Sequence, residues 1–234
     1  MSMDAAFRFL EVIYGPFGAD DSVSASEVLA AEARLGVKLP AALVALYRRT
    51  GRATSLHESH NRLVTLEQVD FAGDHLVFYE ENQDVVVWGI ERSRLADDDP
   101  PVDQGQPTAA PNVGTFYPEF ASVSEFARAQ GAWQAVQGGL PYVGALTSPA
   151  MRARSSEAQA LAANAAPARA FRDSLGEPAL ETAGMLAWLV DGGVFVDARG
   201  YLGLATREAS QFEAACVGLG IEVEDWDYAT LTDE

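Results

Sequence analysis

An α+β protein is what this sequence predicts, and three observations predict it. The first fifty residues carry apolar side chains at helical spacing, broken by glycine and proline. Two strand-like runs, "HLVFYEE" and "VVVWGI", then flank the short polar stretch Asn82-Gln83-Asp84. Towards the C-terminus, "MLAWLV", "VFVDA" and "YLGLA" follow one another with glycine-containing turns between them. Apolar alternation in short runs of β-branched and aromatic residues is the signature of strands, and a 3.6-residue period that of helices.

Taken in order, residues Ala5 to Tyr14 place Ala6, Phe7, Leu10, Ile13 and Tyr14 on one helical face, and Gly15-Pro16 ends the run. Ser24-Ala25-Ser26-Glu27 has the pattern of a capping box, in which serine caps the third amide and glutamate reaches back. The helix it opens carries Val28, Ala31 and Leu35 and stops at Gly36. Pro40 suits a first helical position for the next helix, with Leu43, Leu46 and Tyr47 inward and Gly51 as terminator. A polar loop rich in Ser, His and Asn follows.

The tripeptide Asn82-Gln83-Asp84 fits a hairpin loop, with the Asn82 and Asp84 side chains able to bond nearby backbone amides. "DDDPPVDQGQPTAAPN", Asp97 to Asn112, is expected to be loop, because its prolines lack amide donors and its acids repel one another. Ser122 to Gln137 is expected to be helical, closed by Gly138-Gly139. Residues 147–170 are alanine-rich and poorly patterned, and fit one or two helices or a mobile surface excursion. The tail is expected to add a helix from Glu208 to Val217 and a last short strand, "IEV".

Composition narrows function. Thirty-four acids stand against sixteen bases, fifteen of them arginine, for a formal charge of −18. Such a field repels nucleic acid and anionic lipid and draws in cationic partners; it also aids solubility with no partner at all. No run approaches the ~20 apolar residues of a membrane helix. The N-terminus lacks the pattern of a secretory signal, and the lone Cys216 permits no intrachain disulfide. A soluble, cytoplasmic protein is expected.

Catalytic motifs are weak. Glu80 and Glu81 are adjacent on a strand and point to opposite faces, so they cannot act on one substrate as acid and base. His57-Glu58-Ser59-His60 falls one residue short of the spacing that puts two histidines on one helical face. Neither a metal nor a cofactor is called for. Cys216, in an alanine-rich segment without a basic activator, reads as a buried thiol. Trp88, inside an apolar run, reads as core rather than as an exposed anchor. Asp97, Asp98 and Asp99, beside two stiff prolines, are the best local candidates for contacting a basic surface, together with the hairpin-rim acids Glu80 and Glu81.

The segment from Ala25 to Val102 resembles the SUKH superfamily of bacterial toxin-immunity proteins, relatives of a yeast cell-wall-synthesis regulator. The residues that carry the likeness are Glu32, Gly36, Leu39-Pro40 and Gly51, then Glu81-Asn82-Gln83, Trp88 and Asp99-Pro100-Pro101-Val102. The resemblance implies helices packed on a mixed β-sheet. Extended to the whole chain, it implies a single domain, 1–234, with 147–170 as an insertion. It implies binding rather than catalysis: a non-enzymatic immunity protein that occludes a cognate toxin, often a nuclease or deaminase, and the −18 charge adds that this toxin is basic. A scaffold or regulatory interaction module without a toxin partner is the alternative.

Overall fold

The computed structural model describes residues 2–106, 115–147, 175–182, 184–198, 200–223 and 226–232. The class is α+β, as expected. Its strands form two six-stranded sheets, and every described pairing is antiparallel, where the resemblance implied a mixed sheet. The chain divides into two compact units: Met1–Arg8 with Pro16–Gln130, and Phe9–Gly15 with Gly131–Glu234. The stretch that carries the resemblance, Ala25 to Val102, falls wholly in the first unit. Expectations for residues 107–112 and 148–170 lie outside the described residues.

Helix α1 spans Met3–Tyr14, and its residues up to Arg8 belong to the first unit. Helix α2, Ala25–Leu35, begins on the capping box read from sequence: the Glu27 amide donates to Ser24 Oγ at 3.2 Å and the Ser24 amide to Glu27 Oε2 at 3.0 Å. Gly36 closes it at φ 69°, a left-handed position that glycine fills without strain. Helix α3, Ala41–Thr50, buries Leu43, Leu46 and Tyr47. The buried Glu32 sets the elbow between them, accepting from the Leu39 amide at 3.0 Å and from Lys38 Nζ at 2.6 Å. Burial raises the Glu32 carboxyl, yet Lys38 and the Leu39 amide more than offset it and leave it below the ordinary range.

The expected polar loop is in fact structured. It holds the one-turn helix α4, Thr54–His57, and the short strands β1, Arg62–Leu63, and β2, Asp70–Ala72. Both strands pair with β3, His75–Glu80: β2 through the two-residue turn Gly73-Asp74, and β1 with the far end of β3, at Tyr79 and Glu80. Strand β4, Val87–Glu91, returns against β3 as the hairpin expected.

Strand β5, Val102–Gly105, corrects the reading of Asp97 to Asn112 as loop throughout. Val102 is fully buried, and pairing with β4 and with β6, Phe116–Phe120, satisfies the backbone. Asp103 has a partner there, with His75 Nε2 2.9 Å from its carboxylate. The His75 ring also stacks on Phe116 at 3.8 Å, nearly parallel. Glycines open the way for this stack: a Cβ on Gly105 would lie 2.6 Å from the Phe116 ring, and one on Gly89 3.2 Å from His75 Cβ.

Helix α5, Val123–Gln134, runs from the first unit into the residues of the second. Phe126 is its aromatic hub, with ring centroids 5.1 Å from Phe78, 5.1 Å from Tyr79, 5.4 Å from Phe120 and 6.0 Å from Trp88. Trp88 is buried as expected, and its Nε1 donates to Glu119 at 2.6 Å.

In the second unit a π-helical turn, Ala135–Gly139, ends at Gly138 with φ 102°. The strands are β7, Tyr142–Thr147, β8, Leu180–Thr182, β9, Met185–Val190, β10, Gly193–Ala198, β11, Tyr201–Thr206, and β12, Tyr228–Ala229, ordered β12-β7-β11-β10-β9-β8. Helix α6, Ala209–Leu219, buries Phe212, Cys216 and Leu219 in a core with Trp188, Phe195, Leu204 and Trp226. The expected strand at Ile221–Val223 does not form. The Ile221 amide instead donates to the Cys216 carbonyl at 3.1 Å, closing α6 around Gly220 at φ 62°. The last strand comes five residues later.

Candidate functional site

The β3–β4 turn is held by its own polar groups. The Glu81 amide donates to the Val86 carbonyl at 2.9 Å, and the Asp84 amide to the Glu81 carbonyl at 3.0 Å. The Glu81 carboxylate then folds over the turn, accepting from the amides of Gln83 at 2.9 Å and Val85 at 3.4 Å. Sequence reasoning gave that task to Asn82 and Asp84. Asp84 sits instead at φ 57°, the one positive φ outside glycine among the described residues, a conformation aspartate tolerates better than most.

Arg62 clamps the rim from β1. Its Nε lies 2.8 Å from Glu80 Oε2, and its Nη2 lies 2.7 Å from Glu80 and 3.2 Å from Asp84. The hydrogen bond and charge of Glu80 hold the guanidinium still more firmly in its charged form. Asn82 Nδ2 lies 3.2 Å from His60 Nδ1. Burial lowers the His60 imidazole below its ordinary value, with the Glu81 charge opposing, so the ring is neutral at neutral pH and Nδ1 accepts from the asparagine. Below the rim opens a polar cleft of ≈ 550 Å³, lined among others by Glu58, His60, Arg62, Gln68, Glu80 and Asn82. Val85 stands exposed at the tip.

Asp97, Asp98 and Asp99 sit elsewhere. The turn precedes Val87 at one end of β4, and the aspartates follow Glu91 at the other, so the two groups of candidate residues are not brought together. Two of the three are engaged within the fold. Asp97 pairs with Arg94 at 2.8 Å. Asp99 receives the Ser124 amide at 3.0 Å and its hydroxyl at 2.6 Å, and so caps the first turn of α5. The Asp98 carbonyl accepts from the Ala42 amide at 2.8 Å, and its side chain is exposed.

What the arrangement can do is present a rigid, acid-rich rim. Glu80 and Glu81 do not converge on a shared point: one faces Arg62 and the other the turn amides. Among the described residues no three His, Cys, Asp or Glu side chains gather as metal ligands. Burial pushes the Cys216 thiol up, and Trp226 Nε1 donates to its Sγ at 3.3 Å. No helix among the described residues is long and apolar enough to cross a membrane. Arg62, His60 and Glu58 are the site residues that sequence reasoning did not assign to the rim. Arg62 meets Glu80 and Asp84 across 18 and 22 residues, and no local pattern encodes that distance. Compared with known proteins, the chain matches no protein-family model, no curated protein and no solved structure.

Proposed function

We propose that this protein is a non-catalytic immunity protein that binds and neutralises a basic protein toxin. The observation that carries the reading is charge. The first unit has nineteen acids against ten bases and the second fifteen against six, a formal −9 in each. A cationic protein therefore meets an attractive field on approach to either unit, which speeds encounter and disfavours nucleic acid as a competitor. The sequence resemblance over Ala25 to Val102 adds the toxin to the class of basic partners.

The hairpin rim is the contact we favour. Its backbone is held by Glu81 and its acids by Arg62, so little ordering entropy is lost on docking. Asp98 is the outlying acid of the second candidate group. Occlusion needs no chemistry from this chain; it needs a surface that fits and a field that steers.

The test is co-expression of each open reading frame adjacent to this gene, with and without the protein, scored by growth. One neighbour should arrest growth alone and lose its toxicity with the protein present. The purified pair should associate roughly tenfold or more slowly when salt is raised from low to high, as steered encounters do. Toxic neighbours that stay toxic in the presence of this protein, or no toxic neighbour, would overturn the reading.

A further inference from the structure

His57 is a buried imidazole whose role no part of the rim explains. It is the last residue of the one-turn helix α4, and it is 6% exposed. Two elements pack on its ring. From α3, Thr50 Oγ1 lies 3.1 Å from Nε2; from β3, the Tyr79 ring meets it edge-on at 6.1 Å. The other ring nitrogen, Nδ1, is buried with no hydrogen-bond partner.

The tautomer follows from that geometry. Thr50 Oγ1 lies 2.9 Å from the Leu46 carbonyl, to which it donates its single hydrogen. Its oxygen is then left to accept, so Nε2 carries the imidazole proton and Nδ1 is a bare lone pair. The reverse tautomer would bury an N–H with no acceptor, the costlier defect. Protonating Nδ1 creates that same defect and adds a charge away from water.

We propose that His57 is a pH-sensitive latch: neutral, it seats α4, and on protonation it releases α4 and with it the following residues of the rim. The short reach of the segment makes release local. Helix α4 has a single turn of backbone bonds, Leu56 and His57 to Ala53 and Glu58 to Thr54, and besides His57 it is seated by the buried Leu56 and the preceding Ala53. Directly after it come Glu58 and His60, which line the cleft, and then Arg62, which clamps Glu80 and Asp84. The latch stands independently of the toxin reading, since it needs no partner.

Burial alone lowers the His57 imidazole to about 3 from 6.5, and no charged side chain contributes to the shift. Of the groups on the ring, Tyr79 is a phenol and Thr50 does not ionise; Glu58, next in the chain, is exposed. For a base whose folded pKa is depressed, stability is fully present above the unfolded value and is lost as pH falls. The window therefore runs from about pH 6.5 down to about 3. At pH 5 the two values imply an opening equilibrium raised about 30-fold over that at pH 8.

The experiment is hydrogen–deuterium exchange of the full chain at pH 8 and pH 5, corrected for the intrinsic rate. Residues 53–61 should open about 30-fold more readily at pH 5, with residues 123–130 of α5 changing far less. His57→Gln, which keeps a donor for Thr50 but cannot titrate, should abolish the increment while His60 remains. Equal gains in both segments, or the same gain in His57→Gln, would overturn the latch. Imidazole ¹⁵N shifts of the unmodified protein decide the case even where the variant does not fold. They should report the Nε2–H tautomer with no titration near pH 6.5; an Nδ1–H ring, or a midpoint near 6.5, would overturn it.

Discussion

In the first unit, polar side chains join elements well separated in sequence: Asp99 the start of α5, His75 and Asp103 two strands, Arg62 the hairpin rim. In the second unit the β8–β11 meander is extended by β7 and β12 through backbone ladders, over a core of Trp188, Phe195, Phe212 and Trp226. Both carry the same formal charge, so charge does not account for the contrast. Each sheet also holds a run of sequential neighbours, β2 to β6 in the first and β8 to β11 in the second, so connectivity does not account for it either. The ties also restrict which acids remain for a partner. Asp99 is an acid by composition and a helix cap by position.

Four substitutions sharpen or break that contrast. Trp88→Ala should have the largest effect, about 3–5 kcal/mol in denaturant unfolding, because it empties a site beside the Phe126 hub. It also leaves Glu119 without its indole donor. Near-wild-type stability would mean that the first unit does not depend on its aromatic centre. In the second unit, Gly144→Ala should cost about 1–3 kcal/mol by overpacking, since the new Cβ would lie 2.7 Å from both Phe212 and Trp226. A neutral result would show a core that yields where we describe it as tight.

The smallest and most pointed comparison is within the aspartate run. Asp99→Ala should cost about 0.5–2 kcal/mol as a lost cap, while Asp98→Ala should stay within about 0.5 kcal/mol. Thermal unfolding of the two variants side by side checks this. Equal losses would remove the distinction between a structural and an exposed acid within this run.

Legibility followed the range of the interaction. The Ser24–Glu27 box, the Gly36 cap, the β3–β4 hairpin and the strands β9 to β11 were all readable, because each is closed by residues within a few positions. Strands β1, β2, β5 and β6 were not. Each is short, and β1, β5 and β6 take their register from partners that no local pattern names. Asp103 shows why: in isolation it argues against a strand, and only His75, 28 residues earlier, reverses that argument. The turn at the rim was legible as a turn, but not the residue that ties it. A glutamate at its entrance reaches two amides that asparagine and aspartate were expected to serve.

The flat stack of His75 on Phe116, lying over Gly89 and Gly105, has a hereditary consequence. Four positions on four strands share one volume, so none of them is at liberty to drift by itself. A lineage that gains a side chain at Gly105 must give up bulk at Phe116, and one that shortens Phe116 uncovers the imidazole that answers Asp103. Descendants of this chain should therefore change these residues in concert or keep them all, and a family tree would record the stack as a single inherited character.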